Sequence, residues 1–115
     1  MVHFTELRVF KEARLNIQDI AAICEQNRGF GDIQNQMKRA AVSVVSNIAE
    51  GAGSGSRKQN IKFLGIARGS NHELLAQILI LSDLKIMNPH TAVYGRINYV
   101  GKMLTKLIQS LRQSG

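Results

Sequence analysis

The 115-residue chain contains no tryptophan, only one proline and only one cysteine. The lone Cys24 excludes an intramolecular disulfide and a cysteine-based zinc site, and we expect it to be a small buried apolar residue in a reducing compartment. The N-terminus lacks the pattern of a signal peptide, and no apolar run reaches the roughly 18 residues of a membrane span. The sequence therefore predicts a cytoplasmic protein that does not enter a membrane.

Sequence patterns of catalytic and metal sites are also missing. No Glu-x-x-His pair of a di-iron bundle occurs, and the histidines are scattered at His3, His72 and His90. The glycine-rich segment 51–58 does not fit the phosphate-binding pattern Gly-x-x-x-x-Gly-Lys-Ser/Thr, and no serine has a histidine at a spacing typical of a nucleophile and its base. We therefore expect no enzymatic activity, no metal and no cofactor.

The excess of positive charge is confined to the second half of the chain. Residues 1–50 hold six Lys or Arg and six Asp or Glu, whereas residues 51–115 hold nine against two, so the net charge of +7 arises entirely in the second half. Such asymmetry favours an acidic partner, most often nucleic acid. The residues that we predict to bind nucleic acid are Arg57, Lys58, Lys62, Arg68, Lys102, Lys106 and Arg112.

Two features qualify this prediction. Arg57, Lys58 and Lys62 lie in the first turns of a predicted helix, where the helix dipole disfavours cations, so another interaction should favour them there. The chain has only two tyrosines and four phenylalanines, which argues against single-strand binding by base stacking. We therefore expect contact with the phosphate backbone and little sequence specificity.

Apolar periodicity predicts four helices and no strand. The clearest pattern has apolar residues at steps of three and four near the C-terminus, at Val93, Ile97, Val100, Leu104, Leu107 and Leu111. Asn88 and Pro89 supply a start signal for this helix. The predicted helices span about residues 4–27, 32–50, 57–84 and 89–113, with short links that favour antiparallel neighbours. The sequence predicts an all-α fold, an antiparallel up-down-up-down four-helix bundle that forms a single domain over residues 1–115.

The third predicted helix contains two glycines one turn apart, Gly65 and Gly69. Each glycine costs about 1 kcal/mol relative to alanine in a helix interior. We therefore expect another helix backbone to approach closely at these positions, either within the chain or between subunits.

The second predicted helix carries a polar stripe at spacings of 4, 3, 1 and 3, formed by Arg39, Ser43, Ser46, Asn47 and Glu50. One interpretation is a strip of solvent-facing residues. The alternative, which we favour because the rest of this helix is apolar, is a buried structural network in which Arg39 pairs with a carboxylate such as Glu73.

The segment Lys38-Arg39-Ala-Ala-Val-Ser-Val-Val-Ser-Asn-Ile-Ala-Glu-Gly51 resembles the signature of the four-helix-bundle family encoded in 23S ribosomal RNA intervening sequences. Residues 4–13 and 63–77 are similar to the family's first-helix and third-helix motifs. Gln59, Asn60 and Val45 depart from common family residues without threatening the fold. The resemblance implies an antiparallel bundle that assembles as a ring, commonly a pentamer. It also implies kinship with the accessory variability determinant proteins of retroelements, which partner a reverse transcriptase and RNA.

We accordingly predict a non-catalytic, homo-oligomeric, pentameric module that binds RNA or DNA backbones through its basic residues. Two alternatives remain open. The protein is either a scaffold or accessory subunit whose basic surface docks an acidic protein or a polymerase such as a reverse transcriptase, or a structural oligomer whose cations are paired across subunits.

Overall fold

The computed structural model describes residues 3–26, 31–86 and 92–114, and four α-helices make up nearly all of these residues. They are α1 (Arg8–Gln26), α2 (Gly31–Gly53), α3 (Arg57–Asp83) and α4 (Ala92–Gln113). The described part contains no strand, and the helices pack side by side into a body of 47 × 20 × 19 Å. The predicted all-α four-helix bundle is therefore confirmed.

Contacts between successive helices show that they run antiparallel. Gly51 near the end of α2 lies against Asn60 near the start of α3. Further along both helices, the hydroxyls of Ser43 and Ser70 are hydrogen-bonded at 2.8 Å. In the same way, the Arg57 guanidinium at the start of α3 donates to the carbonyl of Ser114, just after α4.

The core is a continuous apolar cluster to which all four helices contribute. Its least exposed large side chains include Met37, Ile48, Leu64, Ile78 and Leu104, each at most 1% exposed. The predicted seam of α4 is correct over its centre, where Ile97, Val100 and Leu104 are buried. Beyond Leu104 the buried position is Ile108, whereas Leu107 is half-buried. A straight helix with 3.6 residues per turn drifts away from a strict heptad pattern, which explains this shift.

Two helix ends differ from the sequence prediction. Phe4–Glu6 form a short 3-10 turn, Leu7 is extended, and α1 begins only at Arg8. This turn brings the Phe4 ring edge-on to the Phe10 ring, with centroids 5.0 Å apart. At the other difference, α2 continues past residue 50 to Gly53, because Gly51 is buried against α3.

The beginning and end of α3 are closed by local hydrogen bonds. The Ser56 hydroxyl accepts the backbone N–H of Gln59 at 3.3 Å and caps the N-terminus. At the C-terminus, the N–H of Ile86 donates to the carbonyl of Leu81, and Lys85 adopts a left-handed φ of 60°. This is a Schellman motif with a lysine where glycine is preferred. The predicted start signal of the fourth helix, Asn88 and Pro89, lies outside the described residues.

Candidate nucleic-acid interface

The predicted cationic residues all lie at the surface of the two C-terminal helices, and together we call them the basic face. Six of them are exposed and Arg68 is half-buried. The set consists of Arg57, Lys58, Lys62 and Arg68 on α3, and Lys102, Lys106 and Arg112 on α4. Because α3 and α4 pack against each other, all seven belong to the half of the bundle that these two helices form.

The antiparallel arrangement brings the two ends of this set together. The hydrogen bond from Arg57 to the Ser114 carbonyl joins the start of α3 to the end of α4. Arg112 lies two residues before Ser114, so it belongs to the same end of the bundle as Arg57 and Lys58. Near the middle of the molecule, Lys102 and Lys106 line a groove between α3 and α4.

No member of the basic face forms an ion pair with a carboxylate in the described part of the chain. The Lys62 ammonium lies 5.8 Å from the centre of the Phe63 ring, which is a weak attraction. Helix α4 has four cationic residues and no Asp or Glu, whereas α3 has four and two. The two helices therefore carry a net charge of +6 out of the chain's +7.

Arg96 is the cation of α4 that the basic face does not include. Its Nε donates to a carboxylate oxygen of Asp19 on α1 at 2.8 Å. This hydrogen bond raises the pKa of Arg96 above its ordinary value, and it outweighs the opposing effect of burial. Arg96 therefore joins α1 to α4, and its charge is neutralised locally.

The favoured interpretation of the polar stripe on α2 is wrong for the single chain. Arg39, Ser46 and Glu50 are exposed, Ser43 and Asn47 are half-buried, and the proposed partner Glu73 is exposed as well. Arg39 and Glu73 line the same shallow depression but do not pair. The reason is that α2 has an outer face that also contains Val42, which is 50% exposed. Water therefore reaches the stripe.

A smaller hydrogen-bonded network replaces the predicted one. The amide of Asn47 donates to the Ser43 carbonyl at 2.8 Å and to the Ser43 hydroxyl at 3.1 Å. The Ser43 hydroxyl in turn meets Ser70 on α3. This network joins α2 to α3.

Sequence reasoning missed Asn71, a polar residue in the core of the interface between α3 and α4. Its side chain is 1% exposed, and its amide donates to the carbonyl of Ile97 at 2.9 Å. The available signal was its register, because Asn71 lies four residues after buried Ala67 and three before buried Leu74. This residue fixes the register of the helices that carry the basic face.

The space available for a side chain differs between Gly51 and the glycine pair of α3, Gly65 and Gly69. A side-chain carbon at Gly51 would lie 2.6 Å from Oδ1 and 3.2 Å from the carbonyl oxygen of Asn60, so the Asn60 side chain and the neighbouring turn of α3 would have to shift to admit it. At Gly65 and Gly69 nothing lies within 4 Å. The alternative of a close contact within the chain is therefore wrong for Gly65 and Gly69, and a contact between subunits is the alternative that remains.

The two glycines belong to a mixed surface that we call the outer face of α3, where the exposed His72, Glu73 and Asp83 lie beside small and large apolar residues. It combines small residues with large apolar ones that are 42–51% exposed. The face consists of Gly65, Ile66, Gly69, Ala76, Leu79, Ile80 and Leu84. It follows Lys58 and Lys62 along the same side of the helix.

Two further properties concern the described ranges only. Within them, no three His, Cys, Asp or Glu side chains are grouped so that they could bind a metal ion. None of the helices there has both the length and the apolar content to cross a membrane.

Comparison with known proteins supports the resemblance found in the sequence. No curated protein matches the chain significantly. The family model described as 23S rRNA-intervening sequence protein matches residues 5–106, which include every member of the basic face except Arg112. With nearly the whole chain matched and a four-helix bundle as its fold, the protein belongs to the 23S rRNA-intervening sequence protein family.

Proposed function

We propose that this protein is a non-catalytic homo-oligomer of the cytoplasm that binds the backbone of RNA or DNA through its basic face. The observation that carries the proposal is the set of seven surface cations on α3 and α4 that have no carboxylate partner among the residues that the structure describes. Like charges on one side of a small protein repel one another, and a polyanion relieves that repulsion while it releases its counterions. Phosphate groups therefore fit this surface.

The form of the basic face favours contact with phosphates over readout of a sequence. Its members are Lys and Arg side chains spread along two helices, from the end near Ser114 to the groove at Lys102 and Lys106. Phosphate contacts position a nucleic acid but carry no sequence information. We therefore propose binding of low sequence specificity.

Self-association is supported by the outer face of α3. Glycine in a helix interior costs free energy, and among the described residues nothing lies within 4 Å of a side-chain carbon added at Gly65 or Gly69. Ile66 and Ile80 on the same face are both 43% exposed. Large exposed apolar patches mark interaction sites. A second copy that packs here would bury these side chains, and the resemblance to the intervening-sequence family implies a ring of five.

A pair of charge-neutralising variants tests the proposal. Lys58→Gln with Lys62→Gln removes two charges from the basic face, and Lys11→Gln with Lys38→Gln removes two exposed charges from α1 and α2. Affinity for a labelled RNA or DNA oligonucleotide at low salt should fall roughly tenfold or more in the first variant and change little in the second. Removing cations from the start of α3 does not oppose its helix dipole, so a fold defect is not expected.

The material that purifies with the protein provides a second measurement. We expect nuclease-sensitive absorbance near 260 nm, and a native mass that is a multiple of the 12.7 kDa chain, with five chains as the expected number. Equal affinities of the two variants would contradict the assignment of the basic face. Co-purification of a discrete acidic protein without nucleic acid would favour the scaffold alternative instead.

A further inference from the structure

A groove of about 510 Å³ lies between α3 and α4, beside the part of the basic face that belongs to α4. From α3 it is lined by His72 and Leu75, and α4 supplies the rest, including Tyr99, Lys102 and Lys106. This volume is within the range of pockets that bind small molecules. The groove therefore has room for a chemical group larger than a phosphate.

The groove combines cationic, aromatic and amide groups. Lys102 and Lys106 are one helical turn apart, about 6 Å along the axis. Tyr99 is 39% exposed, and the Arg8 guanidinium lies 5.5 Å from the centre of its ring. Asn98 contributes an amide to the lining. Lysines suit phosphates, an aromatic ring suits a planar base, and the amide offers both a donor and an acceptor to a base edge.

We propose that the groove binds one nucleotide of a single strand, with its base against Tyr99 and its phosphate at Lys102 and Lys106. This inference rests on the proposed function and adds a preference for unpaired over paired nucleic acid. A base in a duplex is stacked and paired, so it cannot enter a groove between two helices without being extruded. A single strand presents its bases freely and can contribute phosphates to the remainder of the basic face.

The position of Tyr99 changes the expectation drawn from composition. The small number of aromatic residues argues against a platform for many stacked bases, but one base per chain requires only one ring. The apolar part of the lining comes from Leu75 and Met103, which are both half-buried. In an oligomer, one such groove per subunit would hold a strand at repeated points.

Variants at Tyr99 separate stacking from charge. Tyr99→Ala should weaken binding of a ten-nucleotide single-stranded oligoadenylate roughly tenfold, while affinity for the same oligonucleotide paired with its complement stays within twofold. Tyr99→Phe keeps a stacking ring and should bind the single strand as tightly as the wild type. If Tyr99→Ala and Tyr99→Phe have equal melting temperatures, a purely structural role of Tyr99 predicts equal affinities, whereas stacking predicts weaker binding by Tyr99→Ala alone. Fluorescence anisotropy of the labelled strand measures both.

The absence of tryptophan provides an independent signal, because intrinsic emission comes from the two tyrosines alone. The single strand should quench emission of the wild type, and the quenched component should be missing in Tyr99→Phe. Unchanged single-strand affinity in Tyr99→Ala, with no quenching, overturns the groove assignment but leaves salt-dependent binding by the basic face in place. Quenching by adenosine monophosphate without any oligonucleotide binding overturns the assignment to a strand. If no oligonucleotide binds at low salt, the proposed function itself fails.

Discussion

The glycine pair on the outer face of α3 yields a prediction with opposite signs for folding and assembly. The variant is Gly65→Ala with Gly69→Ala. Both positions lie inside a 27-residue helix, and an added side-chain carbon would meet nothing within 4 Å in the chain. Alanine is favoured over glycine by about 1 kcal/mol at such a position. The double variant should therefore stabilise the isolated chain by about 1–2 kcal/mol.

The same methyl groups should weaken contact with a neighbouring subunit. Glycines permit close approach of two backbones, and a methyl on each would separate them and leave Ile66 less well packed. We expect the concentration at which subunits dissociate to rise by roughly tenfold or more, since a cost of about 1.4 kcal/mol corresponds to a factor of ten. The two effects can be told apart because unfolding is measured on dilute monomer and assembly on concentrated protein.

The assay combines sedimentation velocity over a range of concentrations with urea unfolding below the dissociation concentration. Gly95→Ala is the matched control, because Gly95 is exposed on α4 with nothing within 4 Å and lies outside the outer face of α3. It should raise stability without any change in assembly. A double variant that assembles like the wild type would refute the role of the glycine pair in assembly. A double variant whose monomer is less stable than the wild type would contradict the finding that both positions have room for a methyl group.

Three further variants, one of them with a matched control, test the fold. Lys85→Gly should stabilise by about 1 kcal/mol in urea unfolding, because Lys85 has a φ of 60°, whereas Lys11→Gly inside α1 should cost a similar amount; equal effects would count against the Schellman motif. Gly51→Ala should lower the free energy of unfolding by about 1 kcal/mol, because its methyl would lie 3.2 Å from both the Asn60 carbonyl oxygen and Phe63 Cβ; an increase would show that α2 and α3 move apart at little cost. Burial raises the pKa of the Cys24 thiol, with a smaller opposing effect of Lys38, so the unfolded chain loses this proton first as pH rises. Stability should therefore be complete below about pH 8.5 and decline above it, and Cys24→Ala should remove that decline; an identical pH profile in both proteins would contradict the burial argument.

The fold was predictable because its determinants are local. Apolar residues at helical spacing mark the inner side of each helix, and the buried centre of α4 follows from that pattern. The misplaced boundaries have nonlocal causes. Helix α2 extends to Gly53 because Gly51 packs against α3, and glycine content alone favours a loop there.

The sequence identifies which cationic residues belong to the candidate site, but it does not show how they are paired or arranged. Net charge and its position in the second half identify the cations, but only the fold shows that Arg96 is paired with Asp19, 77 positions away in the sequence, and that the basic face has no carboxylate partner within the described ranges. The polar stripe was misassigned because exposure depends on which sides of α2 its neighbours cover. Tyr99 gained its importance from the groove, which requires two packed helices.

Salt dependence of nucleic-acid binding is the most direct test of the claim that unpaired cations on α3 and α4 hold a phosphate backbone. If all seven members of the basic face contact phosphates of a single strand, the logarithm of affinity should fall with the logarithm of salt concentration with a slope of about −5. Affinity for a labelled oligonucleotide should then decrease about 10³-fold between 50 and 200 mM salt. Binding that is undetectable at 50 mM salt, or that does not change with salt, would contradict the account.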